Sequence, residues 1–88
     1  MHVLEEILSG CRRQIRLIRV LLISEYKWYS RYELEKMTGT KIERKLLQKL
    51  VRCGILQYDD IVNKYRLNRE SAIVNAFRNF FREVGYLL

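Results

Sequence analysis

The side chains best suited to chemistry in this chain are cationic and polar ones that recur at helical spacing within residues 41–53. Apolar residues recur there at three- and four-residue steps, namely Ile42, Leu46, Leu47, Leu50 and Val51. This pattern predicts a helix over residues 41–53 with one buried side. The other side then carries Lys41, Arg44, Lys45, Gln48 and Arg52. Guanidinium, ammonium and carboxamide groups donate hydrogen bonds to phosphate oxygens and base edges, so this row could bind a nucleic acid. A solvated helix face is the alternative.

The charge balance favours the same interpretation. The chain has 88 residues and a formal net charge of +7. Residues 31–54 hold seven Lys and Arg against three Glu, so much of the excess lies in one segment. A basic patch of this kind is the electrostatic footprint of a polyanion binder. The alternative is a charge excess that only keeps the protein soluble.

Residues suited to catalysis or metal binding are few. His2 is the only histidine, and Cys11 and Cys53 fit no metal-ligand spacing. The sequence has no Ser/His/Asp set and no glycine-rich phosphate loop. It therefore predicts no enzyme activity, no metal and no cofactor, although a cavity at a dimer junction could bind an effector.

The hydropathy pattern predicts a cellular location. No apolar run reaches the roughly 20 residues of a membrane span, and no signal-peptide pattern opens the chain. We therefore expect a soluble cytoplasmic protein, associated with the nucleoid or, if the protein is viral, located in the host cell.

Two capping boxes would position the cationic row. Ser30 with Glu33 predicts a helix that starts at residue 31, and Thr40 with Glu43 predicts another that starts at residue 41. Gly39 lies in the turn between them. A turn this short makes the two helices cross, which predicts a helix-turn-helix.

The start of the first of these helices, over residues 31–37, is a second candidate phosphate site. Its free amides, the Ser30 hydroxyl and Arg31 could hold a phosphate at the positive end of the helix. Alternatively, Arg31 faces water. The core-facing residues of this helix would be Tyr32, Leu34 and Met37.

After residue 54 the apolar period changes to two, which predicts strands. Pairing Leu56 with Leu67 and Tyr58 with Tyr65 puts all four side chains on one face of an antiparallel hairpin. Residues 60–63 would then form the tip. A tighter turn with a shifted register is the alternative.

Two longer helices flank this unit, one over residues 3–26 and one over residues 69–86, with Gly10 marking a kink or a close approach in the first. The first helix has a heptad seam of Leu4, Leu8, Cys11, Ile15, Ile18 and Leu22. A second stripe on it consists of Val3, Ile7, Leu17, Val20 and Leu21. The last helix, capped by Asn68, has an apolar face of Ile73, Ala76, Phe77, Phe80, Phe81 and Val84.

Together these faces exceed what one small core can bury, which predicts a symmetric homodimer. Its interface would contain Leu4, Leu8, Cys11, Ile15, Ile18, Ile73, Phe77, Phe80, Phe81 and Val84. If two first helices meet near the dyad, the Cys11 sulfurs could form an intersubunit disulfide. Reducing cytosol disfavours such a bond outside hyperthermophiles.

The order of the elements and two motifs resemble winged helix-turn-helix proteins. The motifs are L-L-x-x-L-V-x-x-G-I-L from Leu46 to Leu56 and K-Y-R-L-N from Lys64 to Asn68. Over roughly residues 12–68 the sequence is similar to small dimeric regulators of the MarR and ArsR type and to compact DNA-binding proteins of archaea and their viruses. The resemblance implies one mainly helical domain with a β-hairpin over residues 1–88. Its parts would be an N-terminal helix, a helix-turn-helix, a wing hairpin and a C-terminal helix, over residues 1–26, 30–54, 55–68 and 69–86.

The resemblance also implies a function, with residues 41–53 as a recognition helix in the DNA major groove. By analogy the wing would contact a flanking groove through Lys64 and Arg66, although Asp59 and Asp60 depart from a basic wing. The full predicted DNA-binding set is Ser30, Arg31, Thr40, Lys41, Arg44, Lys45, Gln48, Arg52, Lys64 and Arg66. The leading hypothesis is a sequence-specific, homodimeric transcriptional regulator. The alternatives are a winged-helix protein-interaction module and a nonspecific, chromatin-type DNA binder.

Overall fold

The computed structural model describes residues 2–24 and 26–87 as a mainly helical protein with one antiparallel hairpin. In chain order its elements are α1 (Val3–Ile7), a 3₁₀ turn (Ser9–Cys11), α2 (Arg12–Ile23), α3 (Arg31–Thr38), α4 (Arg44–Arg52), β1 (Leu56–Asp59), β2 (Lys64–Leu67) and α5 (Ala72–Glu83). The predicted combination of helices and a hairpin is therefore confirmed. None of these helices is both long enough and apolar enough to cross a membrane.

The predicted single helix over residues 3–26 is wrong, because the chain breaks into α1 and α2. Leu8 leaves the helical region, with φ −104° and ψ 42°, and the 3₁₀ turn follows it. Gly10 lies in that turn, where a glycine costs a helix about 1 kcal/mol relative to alanine. The break therefore falls where the sequence predicted a kink.

The start of α3 confirms the first capping box. The Ser30 hydroxyl accepts from the Glu33 amide at 3.2 Å, and the Glu33 carboxylate accepts from the Ser30 amide at 2.9 Å. The helix ends at Gly39, whose φ of +70° is the left-handed conformation that glycine adopts without a Cβ clash. On this helix Leu34 is fully buried, whereas Tyr32 and Met37 are exposed, so their predicted core positions are wrong.

The second capping box is wrong, and α4 starts three residues later than predicted. Glu43 occupies the N-cap position without a side-chain hydrogen bond. The Ile42 amide donates instead to the Glu35 carboxylate at 2.8 Å, and the Ile42 side chain is fully buried. This bond across the turn holds the residues before α4 in a non-helical conformation. Arg44 is consequently the first residue of the helix.

The hairpin has the predicted register. Leu56 pairs with Leu67 and Tyr58 with Tyr65, which excludes the shifted alternative. Tyr29 adds an antiparallel bridge to the outer edge of β2: its amide donates to the Tyr65 carbonyl at 2.8 Å and its carbonyl accepts in return at 2.7 Å. This bridge attaches the segment before α3 to the hairpin.

The start of α5 differs from prediction because Asn68 has other partners. Its side-chain amide donates to the Gly54 carbonyl at 2.9 Å and its Oδ1 accepts from the Glu70 amide at 3.1 Å. Ser71 caps the helix instead, accepting from the Val74 amide at 3.3 Å. Asn68 therefore closes the end of the hairpin, and α5 begins at Ala72.

The core is built around α2, which packs against α3 and β2. Both apolar stripes predicted for this segment contribute to it, since Ile15, Ile18, Leu17 and Leu21 are all buried. Val74 and Phe81 of α5 are fully buried as well, although the predicted face of that helix did not include Val74. Leu17 and Leu21 of the second stripe therefore pack within the chain, whereas Val3 and Ile7 of the same stripe are 58% and 71% exposed.

A buried polar network joins the two ends of the chain. Glu5 is 6% exposed and accepts from Arg16 Nε at 2.7 Å and from the Tyr86 hydroxyl at 2.8 Å. Arg19 Nε donates to the Tyr86 carbonyl at 2.6 Å, and the His2 ring lies edge-on to the Tyr86 ring. Burial and the hydrogen bond to Glu5 raise the pKa of Tyr86 to about 12. We refer to Glu5, Arg16, Arg19 and Tyr86 as the terminal network.

Candidate nucleic-acid interface

One row of polar side chains on α4 is exposed, as the sequence predicted. Leu47 and Leu50 are buried, and the opposite side of the helix places Arg44, Gln48 and Arg52 in water. Steps of four residues put these three side chains on nearly one line along the helix. Because α4 starts at Arg44, the row begins in its first turn.

A groove separates this row from the hairpin. It has a volume of about 360 Å³ and is lined by Arg44, Gln48, Val51, Arg52, Tyr58, Asn63 and Tyr65. The hairpin wall is held by two contacts: the Tyr58 and Tyr65 rings lie 4.8 Å apart, and the Tyr58 hydroxyl bonds to the Asn63 side chain. We call this space the α4 groove.

A second depression of about 230 Å³ continues the α4 groove toward the start of α3. It is lined by Ser30, Arg31, Tyr32, Arg44, Asn63 and Tyr65, so Arg44, Asn63 and Tyr65 border both spaces. The structure therefore brings Ser30, Arg31, Arg44, Gln48 and Arg52 of the predicted set onto one surface.

The cations of this surface have no ionic partner in the described part of the chain. Within residues 2–24 and 26–87, Arg31, Arg44 and Arg52 make no salt bridge and no side-chain hydrogen bond. Arg31 and Arg44 line the same depression as Tyr65. Burial, and secondarily Tyr58, raises the pKa of Tyr65, while Arg44 and Arg31 act in the opposite direction. Their positive charge is thus available to an anion in the groove.

The predicted phosphate site at the start of α3 is already partly occupied by the chain itself. The Ser30 amide donates to the Glu33 carboxylate, and the hydrogen bonds from Ser30 lower the pKa of Glu33. A carboxylate held at this helix end repels a phosphate there. Arg31 is exposed and could still reach a phosphate from the side.

The remaining predicted DNA-binding residues lie away from the α4 groove. Arg66 stacks on the Trp28 ring with its Cζ 4.4 Å from the centroid, and its Nε donates to Gln57 Oε1 at 3.0 Å. The Lys64 Nζ lies 3.9 Å from Glu33 Oε1. Strand alternation places Lys64 and Arg66 on the face opposite Tyr58 and Tyr65. Arg66 is therefore held within the chain, whereas Lys64 is paired only loosely, because its partner lies at 3.9 Å and both side chains are partly exposed.

The last three residues of the predicted set are Thr40, Lys41 and Lys45. They lie near the turn before α4 or on the outer side of that helix. Thr40 and Lys41 line a shallow depression with Tyr32, Glu35, Lys36 and Gly39. Lys45 is exposed on α4 but does not line the α4 groove.

The sequence did not identify the hairpin wall of the groove. Tyr58, Asn63 and Tyr65 line it, and only the shared face of the two tyrosines was predictable from strand alternation. Asn63 has a left-handed backbone, with φ +58°, which an Asn at a hairpin tip adopts more readily than most residues. Its place in the groove depends on how the hairpin docks on α4.

The predicted dimer interface divides into buried and exposed parts. Leu4, Ile15, Ile18 and Phe81 are buried in the core of their own chain, and Leu8 and Phe77 are partly buried. Ile73, Phe80 and Val84 are 50%, 43% and 40% exposed, and they recur on one side of α5. Cys11 is exposed with a free thiol. The exposed apolar part of the predicted interface therefore lies on and just after α5, while Val3 and Ile7 of α1 are exposed apolar residues outside the predicted set.

In the described part of the chain, no group of three or more His, Cys, Asp or Glu side chains is arranged to hold a metal ion. No protein-family model, no curated protein and no solved structure matches this chain.

Proposed function

We propose that this protein is a sequence-specific double-stranded DNA-binding protein of the winged-helix type, acting as a homodimeric transcriptional regulator. The observation that carries the proposal is the exposed row of Arg44, Gln48 and Arg52 beside an open groove, with no salt bridge to either arginine from residues 2–24 and 26–87. Unpaired arginines on one surface attract a polyanion, and a carboxamide among them adds a group that distinguishes bases.

The dimensions of α4 suit the DNA major groove. An α-helix with its side chains is about 10–12 Å in diameter, and the major groove that would receive it is about 12 Å wide. Residues in the N-terminal part of a recognition helix come closest to base edges. Arg44 would pair with guanine and Gln48 with adenine, while Arg31, Lys45 and Arg52 would contact phosphates.

The dimer would form through α5, where Ile73, Phe80 and the following Val84 are exposed on one side. A two-fold axis at this helix would place two copies of α4 on successive major-groove faces, about 34 Å apart. The Phe80→Asp variant should be monomeric by analytical ultracentrifugation at concentrations where the unmodified protein is a dimer. Equal sedimentation profiles for Phe80→Asp and the unmodified protein would show that α5 does not form the interface.

The exposed Cys11 thiol gives a separate test of the predicted disulfide. A species of dimer mass in denaturing gels without reductant supports the bond. Monomer mass alone under the same conditions excludes it without affecting the α5 interface.

The main experiment is selection of bound sequences from a random duplex pool, followed by binding of the selected duplex. Arg44→Ala and Gln48→Ala should lower affinity for the selected site more than affinity for a scrambled duplex. Equal losses on both duplexes would instead indicate a nonspecific, chromatin-type binder.

The tip of the hairpin supports a second candidate function, a protein-interaction module. Ile61 is 89% exposed and Val62 is 54% exposed, beside Asp59 and Asp60. Exposed aliphatic residues next to acidic ones suit a protein surface better than a DNA backbone. Failure to bind any duplex at low salt would favour this candidate over the first.

A further inference from the structure

We infer that a cavity beside the start of α2 is a binding site for a phosphoryl oxyanion. The cavity has a volume of about 520 Å³ and is lined by Ser9, Gly10, Arg12, Arg13, Gln14, Arg16 and Thr40. Three of these seven residues are arginines. We call this site the arginine cradle, and its assignment does not rest on the proposed DNA-binding role of α4.

The cradle lies at a positive helix end that the chain leaves uncapped. Cys11 occupies the N-cap position of α2 without a side-chain hydrogen bond, and no acidic residue stands in the first turn. The helix is 12 residues long, so its N-terminal amides and dipole favour a negative charge at this end. Two other helices are capped by a side-chain oxygen, α3 by Ser30 and α5 by Ser71, whereas the N-cap residue of α4, like that of α2, makes no side-chain hydrogen bond.

Arg12 provides an independent indication of a missing partner. Its Nε is enclosed, with no hydrogen-bond partner among the described residues. The guanidinium also forms no salt bridge within that part of the chain. A buried donor without an acceptor destabilises the structure. The Arg12 side chain as a whole is only partly buried, so an oxyanion in the cradle would accept from its terminal guanidinium nitrogens, which have no acceptor among the described residues.

The carboxylates near the cradle do not neutralise it. Glu5 is held by Arg16 and by Tyr86, so it is committed to the terminal network. Glu43 lies 3.8 Å from Arg13, with both side chains more than half exposed, and such pairs are weak in water. Glu5 also interacts electrostatically with Arg12. Three arginines against the two carboxylates Glu5 and Glu43 leave the cavity with a formal charge of +1.

The donor set fits a phosphoryl group better than a carboxylate. Several guanidiniums, the Ser9 hydroxyl and the Gln14 amide can surround three or four oxygens, whereas a carboxylate offers two. The volume also exceeds that of a lone phosphate, so a sugar–phosphate unit would fit. The ligand could be a backbone phosphate of DNA or a small phosphorylated molecule such as a nucleotide.

The test is a titration of the ¹⁵N-labelled protein with inorganic phosphate at constant ionic strength, followed by NMR. We expect saturable shifts of the amides of residues 9–13 and of the Arg12 Nε–H. Arg12→Gln should weaken binding by about tenfold, and Arg13→Gln is the second variant if the first does not fold. Arg82→Gln removes the same charge from an exposed position on α5 and should have no effect.

Two outcomes overturn the assignment: shifts that never saturate, or an equal loss of binding in Arg82→Gln, which would indicate a general charge effect.

A second titration identifies the source of the phosphoryl group. If Arg12→Gln lowers the salt dependence of duplex affinity by about one phosphate contact, the source is DNA. If that dependence is unchanged while ATP binds more tightly than phosphate, the source is a nucleotide. Phosphate binding by a protein that binds no duplex would refute the proposed function and leave the cradle intact.

Discussion

Arginines in two regions of this molecule are used in opposite ways. In the terminal network, Arg16 and Arg19 each donate to a defined acceptor, the Glu5 carboxylate and the Tyr86 carbonyl. On α4, Arg44 and Arg52 have no such acceptor among the described residues. The same side chain therefore stabilises the fold in one region and leaves charge free in the other. Net charge alone does not distinguish the two uses, whereas the partners of each cation do.

Glu5→Ala should produce the largest effect, and on stability alone. Removing the buried Glu5 carboxylate leaves the buried Tyr86 hydroxyl and the partly exposed Arg16 without an acceptor, which costs about 3–5 kcal/mol because each hydrogen bond to a charged group contributes about 1.5–3 kcal/mol. Urea denaturation measures the loss, with Glu6→Ala as the matched control because Glu6 is exposed. DNA affinity of the folded fraction should be unchanged. A Glu5→Ala protein as stable as the Glu6→Ala control would show that the network contributes no net stability.

Arg44→Ala should produce the converse result, with lost binding and unchanged stability. Loss of a paired guanine contact costs about 1–3 kcal/mol of affinity for the preferred site. Because Arg44 has no intramolecular partner, the free energy of unfolding should change by less than about 0.5 kcal/mol. Fluorescence anisotropy and urea denaturation measure the two quantities, with Arg82→Gln as the charge control. Equal affinity losses in both variants would contradict a specific contact.

Tyr86→Phe should destabilise the protein by about 1–2 kcal/mol at neutral pH, since Glu5 loses a buried hydrogen bond. The pKa of Tyr86 is raised from 10 to about 12, so folding favours its protonated form. That contribution is complete below pH 10 and is lost as the pH rises through 12. Unfolding free energies between these pH values should therefore fall more steeply in the unmodified protein than in Tyr86→Phe. If the unfolding free energies of the two proteins change with pH in parallel, the Tyr86 hydroxyl does not contribute to stability in this way.

Arg66→Ala should have the smallest effect. It removes the stacking on Trp28 and the bond to Gln57, an exposed pair worth about 0.5–1 kcal/mol of stability. Because Arg66 lies outside the α4 groove, the preference for the selected duplex should stay the same. A large loss of that preference would support the contact between Arg66 of the wing and DNA that the sequence suggested.

The parts of the fold that were predictable depend on neighbours in sequence. The Ser30 capping box spans three residues, and the register of Tyr58 with Tyr65 follows from strand alternation. The second box failed because Glu35, seven residues before Ile42, takes the amide at the turn. Asn68 failed as a helix cap for a similar reason, since it bonds to Gly54. Tertiary partners displaced the local ones in both cases.

The candidate site likewise has a part that local sequence predicts and a part that depends on tertiary contacts. Helical periodicity alone was enough to place Arg44, Gln48 and Arg52 on one exposed face. The hairpin wall and the capture of Arg66 by Trp28 depend on docking between elements, which no short sequence window contains. The arginine cradle was missed because it forms where α1 and α2 separate, within a segment that the sequence predicted as one helix.

Mapping of a duplex on the protein by NMR tests the central claim most directly. With the selected duplex at low salt, the largest amide shifts should fall on residues 44–52 and on the groove-lining Tyr58, Asn63 and Tyr65, and they should diminish as salt rises because phosphate contacts release counterions. Shifts concentrated on α5 or on the Ile61–Val62 tip, with α4 unperturbed, would contradict the assignment of α4 as the DNA-reading helix.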